Sequence, residues 1–328
     1  MSGRPMGRAS ARATEPVVLG VDVGGTKVLA AEVDTAGRVL ATAARSTPGR
    51  RVEVGLLEAA LTEAVLEVAD GRPIAAVGLA AAGFVDREGE RVMFAPHLPW
   101  RGEAVRDRLA ERWGTTVVLD NDANCAAHAE IAHGEAGGDA LVITLGTGIG
   151  GAVVIGGRVH RGRNGMAGEF GHMQVVPDGL PCECGNRGCW EQYSSGNALT
   201  RFARERIGHE RTSLERMCGG IPERLVGPMV TDAARDGDAV ALQAFASVGD
   251  WLGVGIANLV AAFDPEVVVV GGGVSAADAL LLDPARAALT RALVGASHRR
   301  VPPVRRARFG PEAGVVGGAV LARRAIVG

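Results

Sequence analysis

With 328 residues, 47% of them hydrophobic, the chain is long enough to bury a large core and to form two domains. Its 37 acidic and 35 basic residues leave a formal charge of -2, so no electrostatic case exists for nucleic acid or an anionic membrane, and small molecules are the expected partners. No run of eighteen consecutive apolar residues is present, and residues 1–16 lack the apolar centre of a secretory signal, which points to a cytoplasmic protein with a disordered tail over 1–16.

Ordered structure is expected from Val17. Residues 17–43, VVLGVDVGGTKVLAAEVDTAGRVLATA, read as strand, glycine turn, strand, turn and strand, an antiparallel ribbon. Asp22 closes the first strand, and Gly24, Gly25, Thr26 and Lys27 form the turn. Glycines there let successive backbone N–H groups converge on one anion, as phosphate oxygens require, and the Asp22 carboxylate suits Mg2+. Taken alone, the same segment also reads as an ordinary glycine hairpin turn. Apolar spacing predicts a helix over 56–69, then buried strands over 74–80 and 116–119. Strands alternating with helices imply an α/β sheet.

Directly after the 116–119 strand come Asp120, Asn121, Asp122 and Asn124, ahead of a helix over 125–133. One Asp or Asn suffices to cap a helix, so four such residues exceed that need and indicate a site. Asp122 is the candidate to accept a proton from an attacking hydroxyl, with Asn121 hydrogen-bonding the same substrate. From Asp139, DALVITLGTGIGGAVVIGGRVHRG repeats the ribbon. Gly146, Thr147 and Gly148 stand where the first glycine turn stood about 120 residues earlier, which suggests a duplicated fold with two turns gripping one polyphosphate. A strand follows this second turn where a dinucleotide-binding fingerprint requires a helix, which disfavours a nicotinamide enzyme. Further on, a helix over 248–263 is broken by Asp264-Pro265, and a strand over 267–270 runs into Gly271, Gly272 and Gly273.

The sharpest local signal is His172 followed by Cys182-x-Cys184-x4-Cys189. Three thiolates and an imidazole are the donor set of a closed tetrahedral site, so structural Zn2+ is expected. Five cysteines, an odd number without an export signal, argue against a disulfide framework. Glu169 and Glu191 bracket the loop, where a metal would fix both carboxylates within reach of sugar hydroxyls. Trp190 and Tyr193 are candidates for that pocket or for the core.

Together, DVGGTK at 22–27, DNDAN at 120–124, LGTGIGGA at 145–152, GEFGH at 168–172 and CxCGxxGCxE at 182–191 resemble the ROK family of repressors, unclassified reading frames and sugar kinases, and within it the bacterial glucokinases. The resemblance runs from about Val17 to the C-terminus. It implies a duplicated actin-like ATPase (ribonuclease H-like) α/β fold with two domains around a cleft. The small α/β domain would span 17–121, completed by a C-terminal helix over 313–328, and the large α/β domain 122–312, with the zinc loop at 168–191.

The implied reaction is ATP-dependent phosphorylation of the glucose 6-hydroxyl, with Asp122 as base. Gly83, Asn121, Glu169, His172 and Glu191 would hold the sugar, His172 also serving the zinc. The ATP phosphates would lie on 24–27 and 146–148 with Mg2+, and the adenosine near Gly271, Gly272, Gly273 and Val274. A homodimer or homotetramer is the family expectation. Asp120 stands where many members have Glu, and the proline common before Gly83 is missing, so fructose, mannose, N-acetylglucosamine and N-acetylmannosamine stay open as substrates. A sugar-binding regulator is the competing class. The family's repressors carry a DNA-binding domain of about 60 residues, and 16 residues precede the first strand, so a catalytic member is expected.

Overall fold

The computed structural model describes residues 15–327, so the expected tail over 1–16 lies almost wholly outside the described residues. Along the chain the elements run β1 (Val17–Val23), β2 (Lys27–Val33), β3 (Val39–Ser46), α1 (Val54–Ala69), β4 (Ile74–Ala81), β5 (Phe84–Val85), β6 (Val92–Phe94), α2 (Val105–Trp113), β7 (Thr116–Asn121) and α3 (Asp122–His133). They continue with β8 (Ala140–Leu145), β9 (Ile149–Ile155), β10 (Arg158–His160), α4 (Gly196–Arg204), α5 (Ser213–Met217), α6 (Gly227–Arg235), α7 (Ala239–Phe263), β11 (Val267–Gly271), α8 (Ala279–Ala292), β12 (Val304–Arg306) and α9 (Ala313–Val327). Two compact units result. The first takes the chain up to Gly134, Val159–Ala167 and the stretch from Glu312; the second takes Glu135–Arg158 and Gly168–Pro311.

In the first unit β1 pairs antiparallel with β2, and β2 with β3, while β4 pairs parallel with both β1 and β7, giving the order β3-β2-β1-β4-β7. Strands β1 and β4 read as near-continuous apolar runs because both of their faces are covered. Leu57 and Leu61 of α1 and Leu109 of α2 share a core with Leu19, Val21, Leu79 and Leu119. The C-terminal helix α9 packs on β1, β4 and α3. Its approach is set by glycine. A Cβ at Gly20 would overlap the carbonyl of Val315, one at Gly78 that of Gly318, and one at Gly317 that of Cys125.

This seating makes the glycines structural, and a control position separates the effect from helix propensity. Gly317→Ala is expected to lower stability by about 3 kcal/mol, the upper range for forcing atoms into a packed interior. Gly55→Ala, on α1 with nothing within 4 Å, should be neutral or stabilise by up to about 1 kcal/mol. Denaturant unfolding reads the contrast, and a Gly317→Ala midpoint no lower than that of Gly55→Ala would contradict the seating of α9.

The second unit repeats the topology. β8 pairs antiparallel with β9 and parallel with β11, which pairs parallel with β12, in the order β10-β9-β8-β11-β12. The antiparallel ribbon followed by parallel strands thus occurs twice, as the duplicated glycine turns predict. This unit has its own core, with Leu141, Ile143, Phe245, Leu252 and Ile256 at its centre.

Four expectations need correction. Helix α7 spans 25 residues and starts well before 248, because the Asp238 carboxylate caps it by accepting the Ala241 N–H (3.1 Å). It ends, as predicted, on Asp264, whose φ of 45° is left-handed ahead of Pro265. By length and composition α7 could cross a membrane, although Gln243, Asp250 and Asn258 interrupt its apolar run; 56% of the relevant window is buried, and Gly253 lies against the Ala285 carbonyl of α8. Helix α3 begins at Asp122, three residues before the expected start, because Asn121 caps it. The sequence reading gave α3 and 159–167 to the larger domain, but both group with the first unit, where α3 is packed against α9 and β4.

Candidate functional site

The polar cluster after β7 divides into structural and available groups. Asn121 Oδ1 accepts the N–H groups of Ala123 (2.9 Å) and Asn124 (3.2 Å), and its Nδ2 donates to the Gly83 carbonyl (3.0 Å). It is therefore the cap of α3 and ties Gly83 to the helix start, and its side chain also acts on the Asp122 carboxylate. Asp120 is 1% exposed. Its Oδ1 accepts from the Asn121 N–H and from Asn124 Nδ2, both at 2.9 Å, and its Oδ2 from Arg161 Nε (3.1 Å) and Nη2 (2.5 Å). Burial works to raise the Asp120 carboxyl, but the His128 imidazole 3.7 Å away, the Arg161 guanidinium and the Asn124 amide outweigh it and hold the group below the usual carboxylate range.

Asp122 is the member left over. Its carboxylate accepts the Ala123 N–H (2.9 Å) at the first turn of α3, with its own backbone N–H and the Asn121 amide also acting on it. Burial raises it above the usual range, against the lowering effect of backbone N–H groups. In the same unit Asp22 stands at the end of β1, where a Cβ at Gly314 would sit 2.8 Å from its carboxylate, so it faces the first turn of α9. Burial first, and then the charge of Asp122, push Asp22 up to about 7, with Lys27 pulling the other way. Two carboxylates in one low-dielectric neighbourhood, with a single lysine nearby, fit a divalent cation that supplies the missing charge.

The first glycine turn follows. The Gly24 N–H donates to the Lys27 carbonyl (3.0 Å), and Thr47 braces the turn through its Oγ1 to the Gly24 carbonyl (2.7 Å). Thr26 and Lys27 are exposed, and His97 packs against Gly25.

In the second unit the structure brings the metal cluster and the second glycine turn together through Glu191. The donor atoms of His172, Cys182, Cys184 and Cys189 all lie within 4.8 Å of one another. Cys184 Sγ is 3.6 Å from Cys189 Sγ, and Cys182 Sγ is 3.7 Å from His172 Nδ1. A tetrahedron built on metal–sulfur bonds of about 2.3 Å has edges near 3.8 Å, so the set fits one metal ion. Glu191 Oε1 lies 3.2 Å from Cys182 Sγ and 3.7 Å from His172 Nδ1, while its Oε2 accepts the Ile149 N–H (3.4 Å) and covers Gly148. Glu169 precedes the one-turn 3-10 helix Phe170–His172.

Trp190 is core: it is fully buried on Gly255 of α7 and donates Nε1–H to the Trp251 carbonyl (2.7 Å), which anchors Cys189 beside it. Tyr193 is likewise structural, its hydroxyl accepting the Leu180 N–H (2.8 Å) and its ring lying 4.9 Å from Trp251.

The 271–274 loop and the Gly146–Thr147 turn meet at the start of α4. Gly196 donates its N–H to the Gly146 carbonyl (2.9 Å) and Asn197 to that of Thr147 (3.3 Å), and a Cβ on Gly196 would lie 3.4 Å from the Val274 side chain. Gly272 (φ 82°) is laid against Leu145, while Gly146 and Gly273 face open space. Gly196, Asn197, Thr47, His97 and Arg161 escaped the sequence reading. Ser195, directly before α4, carries a cap signal; the others have no local signature.

The sequence model of the ROK family matches residues 18–325. A glucokinase from Streptomyces coelicolor is 43% identical over 312 residues, which cover 94% of this chain and 98% of that protein. A solved ROK family glucokinase from Streptomyces griseus, in complex with glucose and AMPPNP, superposes with a TM-score of 0.86 at 43% identity, covering 94% of this chain and 99% of that one. A xylose repressor from Caldicellulosiruptor bescii is 31% identical over 219 residues, 65% of this chain and 54% of the repressor. With both of its units spanned by the family match, and with the duplicated sheets and glycine turns that match implies, the chain belongs to the ROK family.

Proposed function

We propose that the protein is an ATP-dependent glucokinase that transfers the γ-phosphoryl group of ATP to the 6-hydroxyl of glucose. The observation that carries this reading is the strand register of the first unit: Asp22 on β1 is level with Ala80 on β4 and Asp120 on β7, which runs into Asp122 at the start of α3, so two carboxylates stand at one end of the sheet beside a glycine turn suited to phosphate oxygens. The similarity to kinases crystallised or named for glucose supports it.

In the proposed step the glucose O6 attacks Pγ in line, the new O6–Pγ bond forms as the bond from Pγ to the β–γ bridging oxygen breaks, and the hydroxyl proton passes to Asp122. Asn121, Gly83, Glu169, His172 and Glu191 bind the sugar hydroxyls. The 24–27 and 146–148 turns receive phosphate oxygens on their backbone N–H groups, and the 271–274 loop takes the adenosine. Mg2+ at Asp22 would supply positive charge to the phosphates. Zn2+ on His172, Cys182, Cys184 and Cys189 is structural, because four protein donors close the coordination shell. We place the enzyme in the cytoplasm.

The test is ADP release from MgATP, coupled to a reporter reaction, across a panel of hexoses, with NMR fixing the position of the new phosphate. Fast conversion of glucose to its 6-phosphate is expected. Preference for an acetamido sugar, mannose or fructose would overturn the substrate while leaving the chemistry. Sugar binding without turnover would make the protein a regulator.

A further inference from the structure

The buried ion pair next to Asp122 is unused by the reaction as written. Arg161 lies 41 residues beyond Asp120 and reaches it with Nε and Nη2, the Asp120 side chain being 2% exposed and that of Arg161 31%. No other full positive charge stands at hydrogen-bond distance from this carboxylate among the described residues. His128, 3.7 Å away, has its Nε2 buried without a hydrogen-bond partner. Its Nδ1 faces Arg324 Nη1 at 3.3 Å, and burial favours the neutral imidazole.

Arg161 is also presented rigidly. Its carbonyl accepts the Ala167 N–H (3.1 Å), closing a loop in which Gly162 (φ 73°) and Gly165 (φ 79°) adopt the left-handed conformation. Gly165 is seated on the Val85 carbonyl and Asp86. A closed circuit follows: Asp120 binds Arg161, the loop sits on Val85, and the adjoining Gly83 accepts from Asn121, whose own N–H returns to Asp120.

We infer that Asp120 and Arg161 form a positioning pair for phosphoryl transfer, holding Asn121 and the carboxylate of Asp122 in place without touching substrate. The inference rests on the assignment of Asp122 as base. Removing one partner leaves a buried charge uncompensated and lets the α3 start shift, whereas neutralising both leaves two amides able to hydrogen-bond each other.

Arg161→Gln, Asp120→Asn and the double variant are assayed with glucose and MgATP, alongside thermal melting to correct for unfolded protein. Arg161→Gln is expected to lower kcat by about tenfold to a hundredfold with KM for ATP within about twofold, the size of effect a misplaced catalytic group produces. The double variant should recover most of that loss, a coupling that independent sites do not show. Unchanged kcat in Arg161→Gln, or losses that simply add in the double variant, would overturn the pair. If Arg161→Gln does not fold, the double variant is compared with Asp120→Asn alone: higher kcat in the double variant supports the pair, and equal or lower kcat overturns it. Asp122→Asn runs beside them. An inactive wild type or an active Asp122→Asn overturns the assignment of the base and the inference with it, while an active wild type, an inactive Asp122→Asn and an unimpaired Arg161→Gln overturn the pair alone.

Discussion

Asp122→Asn is expected to lower kcat for glucose phosphorylation by about 10²- to 10⁴-fold, the range over which a positioned base contributes, while glucose still binds. The substitution suits the question because it is isosteric. An amide oxygen at this position still accepts the Ala123 N–H at the first turn of α3, and the cap itself belongs to Asn121, so the helix start and the Gly83 link survive. What disappears is a carboxylate that burial raises above the usual range, a shift that favours a base acting near neutral pH. In the wild type, kcat/KM should therefore fall on the acid side at a pH above the ordinary carboxylate value of about 3.9, because the protonated form cannot accept a proton. Rate assays, with calorimetry for glucose, check both parts. Turnover near the wild-type level in Asp122→Asn would remove Asp122 from the mechanism.

The features legible in the sequence are those whose signal is local. The strand–turn–strand ribbons at 17–43 and from Asp139, the two glycine turns and the Cys182–Cys189 spacing each lie within a short window, and each appears in the structure where it is expected. The excess of polar residues over 120–124 points to a site, but it does not apportion them. Asn121 is the cap, Asp120 and Asn124 form a buried network, and Asp122, the proposed base, stands at the first turn of α3. That division depends on Arg161 and Gly83, which come from distant parts of the chain. The seating of α9 was hidden for a similar reason. Gly20 and Gly78 look like weak spots in strands until Val315 and Gly318 arrive some 240 to 300 residues later.

Removing the proposed zinc is expected to weaken glucose binding at least tenfold while leaving the core of the second unit folded. Cys189→Ser is the direct variant, since Cys189 is fully buried, lies 3.6 Å from Cys184, and sits next to Trp190, whose anchoring on Gly255 and Trp251 does not involve the metal. Without a cation the Cys182 thiolate is unfavourable: burial, with a hydrogen bond donated to Glu191 adding to it, pushes this thiol up to about 12, whereas at Cys184 burial is outweighed by hydrogen bonds from the Asn186 N–H, Cys182 and Cys189, which hold the thiol below its usual value. Ligand binding of this kind adds several kcal/mol to local order, because metal affinity is expressed as folding free energy. Two sugar-binding candidates depend on that order. His172 is itself one of the four proposed ligands, and Glu191 is held between Cys182 and the Ile149 N–H. Phe245, Leu252 and Ile256 lie in a core built from α7 and its neighbours, which the metal loop does not create. Cys189→Ser should thus lose its zinc by elemental analysis, become protease-sensitive over 173–188, and show a KM for glucose raised at least tenfold, about 1.4 kcal/mol of lost binding, with the main melting transition retained. A metal-free protein with unchanged glucose KM would show that the loop holds its shape by packing alone and that the cluster has another task.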